Sequence, residues 1–296
     1  MQCIKMGLEP LDRYYKILSS QEKARYLMAG ELDEKIQSAK EIFRKCCFCE
    51  RRCHINREIG EKGYCGVSEA RISSEFIHIG EESPLVPSHT IFFSGCSFHC
   101  VYCQNYDISY YPGRGIHYKP DKLAQLIKNK TARNVNWVGG EPTSSILYIL
   151  EVLNHLDKNT PQIFNSNMYL TEESMNLLDG VIDVYLTDFK YGNDRCASRL
   201  SDVREYMRIT ERNHLIARKQ AEMIIRHLVL PGHIECCTKP LLDWIKHNLT
   251  NVYVNVMGQY RPMYRANEYE EIRRPLQASE FNEAISYARN LGLTLI

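Results

Sequence analysis

The sequence predicts an α/β fold, a partial barrel of six strand-helix units with a helical and cysteine-rich extension at its N-terminus. Three observations carry that prediction. Beyond residue 72, short β-branched and aromatic runs alternate with amphipathic stretches of helical length, the pattern of strands joined by right-handed crossovers into a parallel sheet. The 296 residues are 44% hydrophobic, ample for a sizeable core. The 12 cysteines are mostly grouped rather than scattered, so a metal-binding segment stands apart from the barrel.

Residues 8 to 44 read as two helical segments. The second, ELDEKIQSAKEIFRK, sets Leu32, Ile36 and Ile42 among charges in a helical stripe, and residues 1–45 are assigned to a small helical cap. Residues 46–72 are rich in Cys, Gly, Arg and Glu and poor in apolar runs, which suits a loop folded around a metal better than a core of its own. The barrel is assigned to 73–256. Its strands are read at HTIFFSG (89–95), NVNWVGG (134–140), QIFNSN (162–167), VIDVYLTDF (181–189), EMIIRHLVLPG (222–232) and NVYVNV (251–256). Helices such as PDKLAQLIKNK, SSILYILEVLNHL, TEESMNLL and KPLLDWIKHNL lie between them, several opening on Pro, Thr or Ser as a helix start prefers. Residues 257–296 are read as an extension packed on the barrel, a Tyr- and Arg-rich segment followed by the helix FNEAISYARN.

With 37 basic and 36 acidic residues the formal charge is +1, so no global field draws the chain to nucleic acid or to an anionic membrane. The N-terminal MQCIKMGLEPLDRYYK has no apolar run of signal-peptide length, and no stretch reaches the roughly 18 apolar residues of a membrane helix. A soluble, cytoplasmic protein is expected. In a reducing cytosol, clustered cysteines bind metal more often than they pair.

Cys96, Cys100 and Cys103, spaced C-x3-C-x2-C, follow a strand that ends in Ser94-Gly95. Their loop therefore sits at the carboxyl end of a parallel strand, the face on which barrel enzymes place their chemistry. Three thiolates are one too few to close a cubane iron-sulfur cluster, which leaves one iron free to chelate the amino and carboxylate groups of a ligand. Three incidental thiols are the bland alternative. A zinc ion is another, but zinc wants a fourth ligand, and His99 lies inside the triplet where chelation would be strained. A second group, Cys46-x2-Cys49-x3-Cys53-x11-Cys65, supplies four thiolates, enough for a structural site holding zinc or a second iron-sulfur cluster, with Cys47 as a spare. The nearby Arg51, Arg52 and Arg57 are expected to lower the thiolate pKa values.

The passages CCFCERRCHINREIGEKGYCGV, TIFFSGCSFHCVYCQNYDIS, NWVGGEPT, VYLTDFKYGN, RHLVLPGHIECCTKP and VNVMGQYRPMYRA run from Cys46 to Ala266. In them the chain resembles the radical S-adenosylmethionine superfamily, and within it an uncharacterised group similar to pyruvate formate-lyase-activating enzyme. The resemblance implies a four-iron, four-sulfur cluster on the catalytic Cys96, Cys100 and Cys103, with S-adenosylmethionine on its open iron. It implies reductive cleavage to a 5'-deoxyadenosyl radical, which abstracts hydrogen from a glycyl-radical enzyme, a peptide or a small molecule. A reductant such as flavodoxin or ferredoxin is implied with it.

Among the supporting positions, Tyr102 is expected to pack near the adenine. Gly139 and Gly140, ahead of Glu141, are expected to bring backbone to the methionine amino group because glycine lacks a Cβ. Asn165, Ser166 and Asn167 end a strand with polar groups, for ribose or for loop capping. Asp188 and Lys190 resemble an Asp-x-Lys pair that meets ribose hydroxyls and the methionine carboxylate, with a structural salt bridge as the alternative. His233 is read as a ribose or substrate contact or as a loop histidine without a role. Cys236 and Cys237 are read as redox-active or substrate-facing, or as buried small residues. Gln259, Tyr260 and Arg261 line the substrate pocket or belong to a packed tail. The chain carries neither the cysteines of a C-terminal auxiliary-cluster domain nor the ferredoxin-like insertion that several activases have after the triplet. The alternative function is an iron-sulfur electron carrier or scaffold without adenosyl chemistry. A zinc-stabilised nucleic-acid module would need a basic stripe that the sequence lacks.

Overall fold

The computed structural model describes residues 9–296, so the first eight residues of the expected 1–45 cap, Cys3 among them, lie outside the described residues. Two helices, α1 (Asp12–Leu18) and α2 (Leu32–Arg44), precede the strands β1 (Ile72–His78) and β2 (Ser88–Phe93). Then come α3 (Tyr106–Ser109), α4 (Pro120–Asn129), β3 (Asn134–Gly139), α5 (Ile146–Asn154), β4 (Gln162–Ser166), α6 (Glu172–Leu178) and β5 (Val184–Asp188). The chain continues through α7 (Asp194–Ser201), α8 (Tyr206–Gln220), β6 (Glu222–Leu228), α9 (Lys239–Asn248), β7 (Tyr253–Met257) and α10 (Ala278–Asn290).

The seven strands lie in sequence order in one unclosed sheet. β2 to β7 run parallel and correspond to the six strands read from the sequence, whereas β1 runs antiparallel to β2 along the edge. β1 was not expected. Its register slips between Ile72 and Ser74, and most of its side chains stay partly exposed, so the two-residue apolar alternation that betrays a strand is blurred. Between β5 and β6, α8 buries Thr210, Asn213 and His214, which breaks up the apolar stripe of a helix.

Two apolar layers cover the two faces of the sheet. Outward-facing Phe93, Val135, Trp137, Phe164, Tyr185 and Met223 pack into the large core shared with the helices. Inward-facing Ile163, Val184, Leu186 and Ile224 form a smaller cluster with Leu11, Tyr14 and Leu85. The start of α1 thus plugs the floor of the barrel, each buried side chain contributing about 1.5–3 kcal/mol. Polar contacts fix the plug. The Glu222 carboxylate accepts from the backbone N–H groups of Arg13 (2.7 Å) and Tyr14 (2.8 Å), satisfying donors that the first turn of a helix leaves free.

The loop from Ile79 to Pro87 spans the interior on the unclosed side. Its Glu81 accepts from Asn136 of β3 and Arg226 of β6, each at 3.2 Å, and its Glu82 accepts from Asn255 of β7 at 2.9 Å. After β7 the tail packs back on the barrel. Tyr260 donates to the Ile272 carbonyl (2.5 Å), and Arg265 N–H donates to Val101 O (2.8 Å) beside the cysteine triplet. No helix among the described residues is long and apolar enough to cross a membrane.

Candidate active site

The triplet loop leaves β2 through Gly95, whose φ of +88° suits glycine, and a Cβ there would stand 2.2 Å from Val67 Cγ2. Cys96, Cys100 and Cys103 then line one cleft of about 250 Å³ at the carboxyl ends of the parallel strands. Each thiol has its own support. Phe98 N–H donates to Cys96 Sγ (3.3 Å), Ser201 Oγ donates to Cys100 Sγ (2.9 Å), and Cys103 Sγ lies 3.5 Å from Ser109 Oγ. Burial pushes all three thiols up, Cys96 well above its ordinary value and Cys100 to about 11. Bare, they are protonated at neutral pH, so a metal must displace their protons.

The opposite wall comes from the ends of β5 and β6. The Lys190 ammonium stands 2.8 Å from Asp188 Oδ2, and Arg226 Nε stands 3.1 Å from Asp188 Oδ1. Burial alone would raise the Asp188 pKa, but the two cations overcome it and hold the carboxyl down at about 2. Arg226 also donates to Asn165 Oδ1 (2.5 Å) and to Glu81 (3.2 Å). That leaves Asn165 Nδ2 buried without a partner, a donor facing a cleft of ligand size. Arg226 did not figure in the reading of the sequence. Its signal was a lone arginine inside the apolar run EMIIRHLVL, at an inward-facing register position.

Several expected residues also make contacts within the chain. The Glu141 carboxylate lines the cleft, yet it accepts from Thr143 Oγ1 (2.6 Å), Ser166 Oγ (2.7 Å) and the N–H groups of Asn167 (2.9 Å) and Thr143 (3.3 Å). It brackets the ends of β3 and β4, and burial pushes its pKa up. Asn167 is likewise occupied, donating to Ser97 Oγ (3.1 Å) and accepting from Tyr169 N–H (3.0 Å). Gly139 and Gly140 line the cleft, but the space beside their Cα atoms holds the chain's own backbone. A Cβ would stand 2.2 Å from Phe93 N and from Gly95 O, respectively. Tyr102 shares its hydroxyl with Tyr191 (2.7 Å), which meets Ser201 (2.5 Å), so its polar end faces the supports of Cys100. Gln259 lines the cleft, whereas Tyr260 is buried behind Tyr102 with ring centroids 6.0 Å apart. His233 and Arg261 are not among the residues that line it. His233 is buried and bonded to Pro231 O (2.7 Å).

Cys46, Cys49, Cys53 and Cys65 line a second, smaller cavity, which excludes Cys47. Ser97 and Glu141 border it too, so it abuts the triplet loop and shares Glu141 with the first cleft. The cysteine-rich segment is docked by backbone bonds from Glu50 N–H to Tyr169 O (3.1 Å) and from Thr171 N–H to Phe48 O (3.2 Å). At two of these thiols the expected lowering by arginine is outweighed: Arg57 does pull Cys65 down, but burial pushes harder, raising Cys65 and carrying Cys49 well above its ordinary value. The arginines also have partners of their own: Arg51 stacks on Tyr64 (3.7 Å), while Arg52 and Arg57, which line the cavity, pair with Glu50 (2.7 Å) and donate to Ser144 O (2.8 Å), respectively.

Residues 90–245 match the family model of the Radical SAM superfamily. An uncharacterised protein of Methanocaldococcus jannaschii is 53% identical over 279 residues, which is 92% of this chain and 82% of that protein. Among solved structures, Streptococcus suis SuiB bound to its precursor peptide SuiA aligns with a TM-score of 0.46 and 16% identity, over 68% of this chain and 46% of SuiB. A domain of pyruvate-formate lyase-activating enzyme from Bacteroides vulgatus aligns with a TM-score of 0.43 and 13% identity, over 55% of this chain and 97% of the domain.

Proposed function

Because the chain belongs to the Radical SAM superfamily, we propose that Cys96, Cys100 and Cys103 hold the four-iron, four-sulfur cluster that the family implies, with S-adenosylmethionine in the cleft beside it. The observation that carries this reading is the meeting, in one cleft, of three thiols with the Asp188–Lys190–Arg226 cradle. The donor set fits. Three cysteines leave a cubane one corner short, and the buried, unpartnered Asn165 amide offers a hydrogen bond that nothing in the chain accepts.

When bound, the cluster and its cofactor supply one-electron cleavage of the sulfonium to a radical that takes hydrogen from a substrate. The chain's residues bind, orient and shield. Lys190 presents a cation to the cofactor's carboxylate, and Asp188, kept ionised by Lys190 and Arg226, accepts from ribose hydroxyls. Arg226 acts through Asp188 and Asn165 and is a positioning residue. Glu141 holds the ends of β3 and β4 together at the wall of the cleft that would take the cofactor. Tyr102 and Gln259 complete the walls, while His233 lies behind them and supports the Pro231 turn. Leu11 and Tyr14 of the helical cap form the floor, and the extension (257–296) braces the triplet loop through Arg265. A flavodoxin or ferredoxin serves as the reductant, and the substrate is a backbone glycine of a partner enzyme, a peptide or a small molecule.

The second cavity is read as a site for an additional iron-sulfur cluster. Four thiols lining one cavity suit such a cluster, with a structural zinc ion as the alternative.

The test is anaerobic. Reconstituted protein given dithionite and S-adenosylmethionine should release 5'-deoxyadenosine, and Cys96→Ala should release none. If parent and variant are both indistinguishable from buffer, the reading fails. Deuterated candidate substrates that pass label into 5'-deoxyadenosine identify the atom attacked.

A further inference from the structure

Away from both cavities, the structure brings together three cysteines that neither site uses. Cys196 lies in the first turns of α7, and Cys236 and Cys237 sit in a π-helical turn at Ile234–Thr238, just before α9. The Cys196 and Cys236 sulfurs are 4.0 Å apart, those of Cys236 and Cys237 are 3.8 Å apart, and all three lie within 4.8 Å of one another. Consecutive residues of an ordinary α-helix point about 100° apart. The wider π turn turns both thiols toward Cys196, and such turns recur at functional sites.

We propose that Cys196, Cys236 and Cys237 form a third metal site, a three-thiolate cradle for one thiophilic d10 cation of the zinc class. Ligands 2.3 Å from a common ion lie about 3.8 Å apart in tetrahedral geometry and about 4.0 Å apart in trigonal geometry. The two measured separations fall on those values. Among the described residues, this is the one group of three or more Cys, His, Asp or Glu ligands that converges so closely.

A single side chain organises all three cysteines. Asn193 Oδ1 accepts from Cys196 N–H (2.8 Å), while its Nδ2 donates to Cys236 O (2.7 Å) and reaches Cys237 Sγ at 3.6 Å. Outer contacts of this kind orient metal ligands. Gly192 lets that segment approach the turn, since a Cβ there would stand 2.5 Å from Cys237 O. Cys237 is buried, Cys196 half-buried and Cys236 exposed, so one side of the cradle faces solvent. An ion can enter there, and its fourth position is open to water. Each divalent ion displaces three thiol protons, no electron moves, and the occupied cradle carries one negative charge.

The ion would tie the segment after β5 to the segment after β6. Both connect to the cleft: α7 ends at Ser201, which donates to Cys100, and Thr238 bonds His227, which bonds Phe189 O between Asp188 and Lys190.

The experiment titrates the anaerobically purified, iron-sulfur-loaded chain with Co²⁺ as the spectroscopic probe. One Co²⁺ per chain should bind beyond the iron sites, with near-ultraviolet thiolate charge-transfer absorption, release of about three protons and displacement by Zn²⁺. Cys196→Ser and Cys236→Ser should each weaken binding at least 100-fold, and Asn193→Ala about tenfold, with iron and sulfide content unchanged. The inference is overturned if the parent chain shows no cobalt-thiolate band. It is equally overturned if both serine variants bind as the parent does, or if peptide mapping of the anaerobic protein finds two of these cysteines joined in a disulfide.

Discussion

Replacing Arg226 with methionine keeps most of the side-chain volume and removes the guanidinium that touches Asp188, Glu81 and Asn165. Asp188 would keep Lys190, but Glu81 would keep only the Asn136 amide at 3.2 Å and His78 at 3.3 Å. Stripping one partner from a buried ionic network costs about 3–5 kcal/mol, because the remaining charge stays buried without compensation. In a chain of this length that lowers the thermal midpoint by roughly 6–10 °C. The same change frees the Asp188 carboxylate and the Asn165 amide to rotate, so affinity for S-adenosylmethionine should fall at least tenfold, the worth of one charge-assisted hydrogen bond. Anaerobic thermal unfolding and equilibrium dialysis with labelled S-adenosylmethionine measure the two effects. Adding Glu81→Gln to Arg226→Met should recover about 1 kcal/mol or more, although Glu81→Gln alone is destabilising. A midpoint within 2 °C of the parent, unchanged affinity, or strict additivity of the two substitutions would refute the network as the agent that holds Asp188.

Cys53→Ser should cost the chain roughly four irons, read by metal analysis, whereas Cys47→Ser, outside the cavity, should cost none. Gly140→Ala would drive a Cβ to 2.2 Å from Gly95 O, so it should destabilise by about 1–3 kcal/mol and lower iron loading on the triplet, measured on the same samples. Burial lowers His214 and His227 from 6.5 to about 4, so in the folded chain both rings stay neutral where the unfolded chain takes up protons. Their contribution is intact above pH 6.5 and is lost as the pH falls toward 4, at about 1.4 kcal/mol per pH unit for each ring. Urea midpoints across that window should fall more gently in His227→Gln, and an unchanged slope would contradict the assignment.

That the cysteine triplet, the paired glycines and the Asp188–Lys190 pair share one cleft was legible because each is a short motif at a fixed offset from a strand end, and parallel strands bring their carboxyl ends to one face. The six parallel strands were legible from their apolar runs. What the sequence left out are contacts that join distant parts of the chain. Glu141 looked like a cofactor contact in its local motif, but its partners Ser166 and Asn167 arrive from the next strand. Arg226 gains its meaning only from Asp188 and from Glu81 in a loop 145 residues away. The arginines beside the second cysteine group also bond Tyr64, Glu50 and Ser144, and burial of Cys49 and Cys65, which no spacing reveals, outweighs what they do for those thiols. Cys196 and Cys236, 40 positions apart, could not be paired from spacing alone.

The helical plug also sets an order of events during synthesis. α1 is made well before Glu222, which caps its first turn and lies 209 and 208 positions beyond Arg13 and Tyr14. At about 5–20 residues per second, the interval before that glutamate is translated is roughly 10–40 s. Throughout it, the first turn of α1 lacks the carboxylate that caps it, so this helix docks fully only after the strands that follow it have been made. Until it does, the nascent barrel is open at both ends.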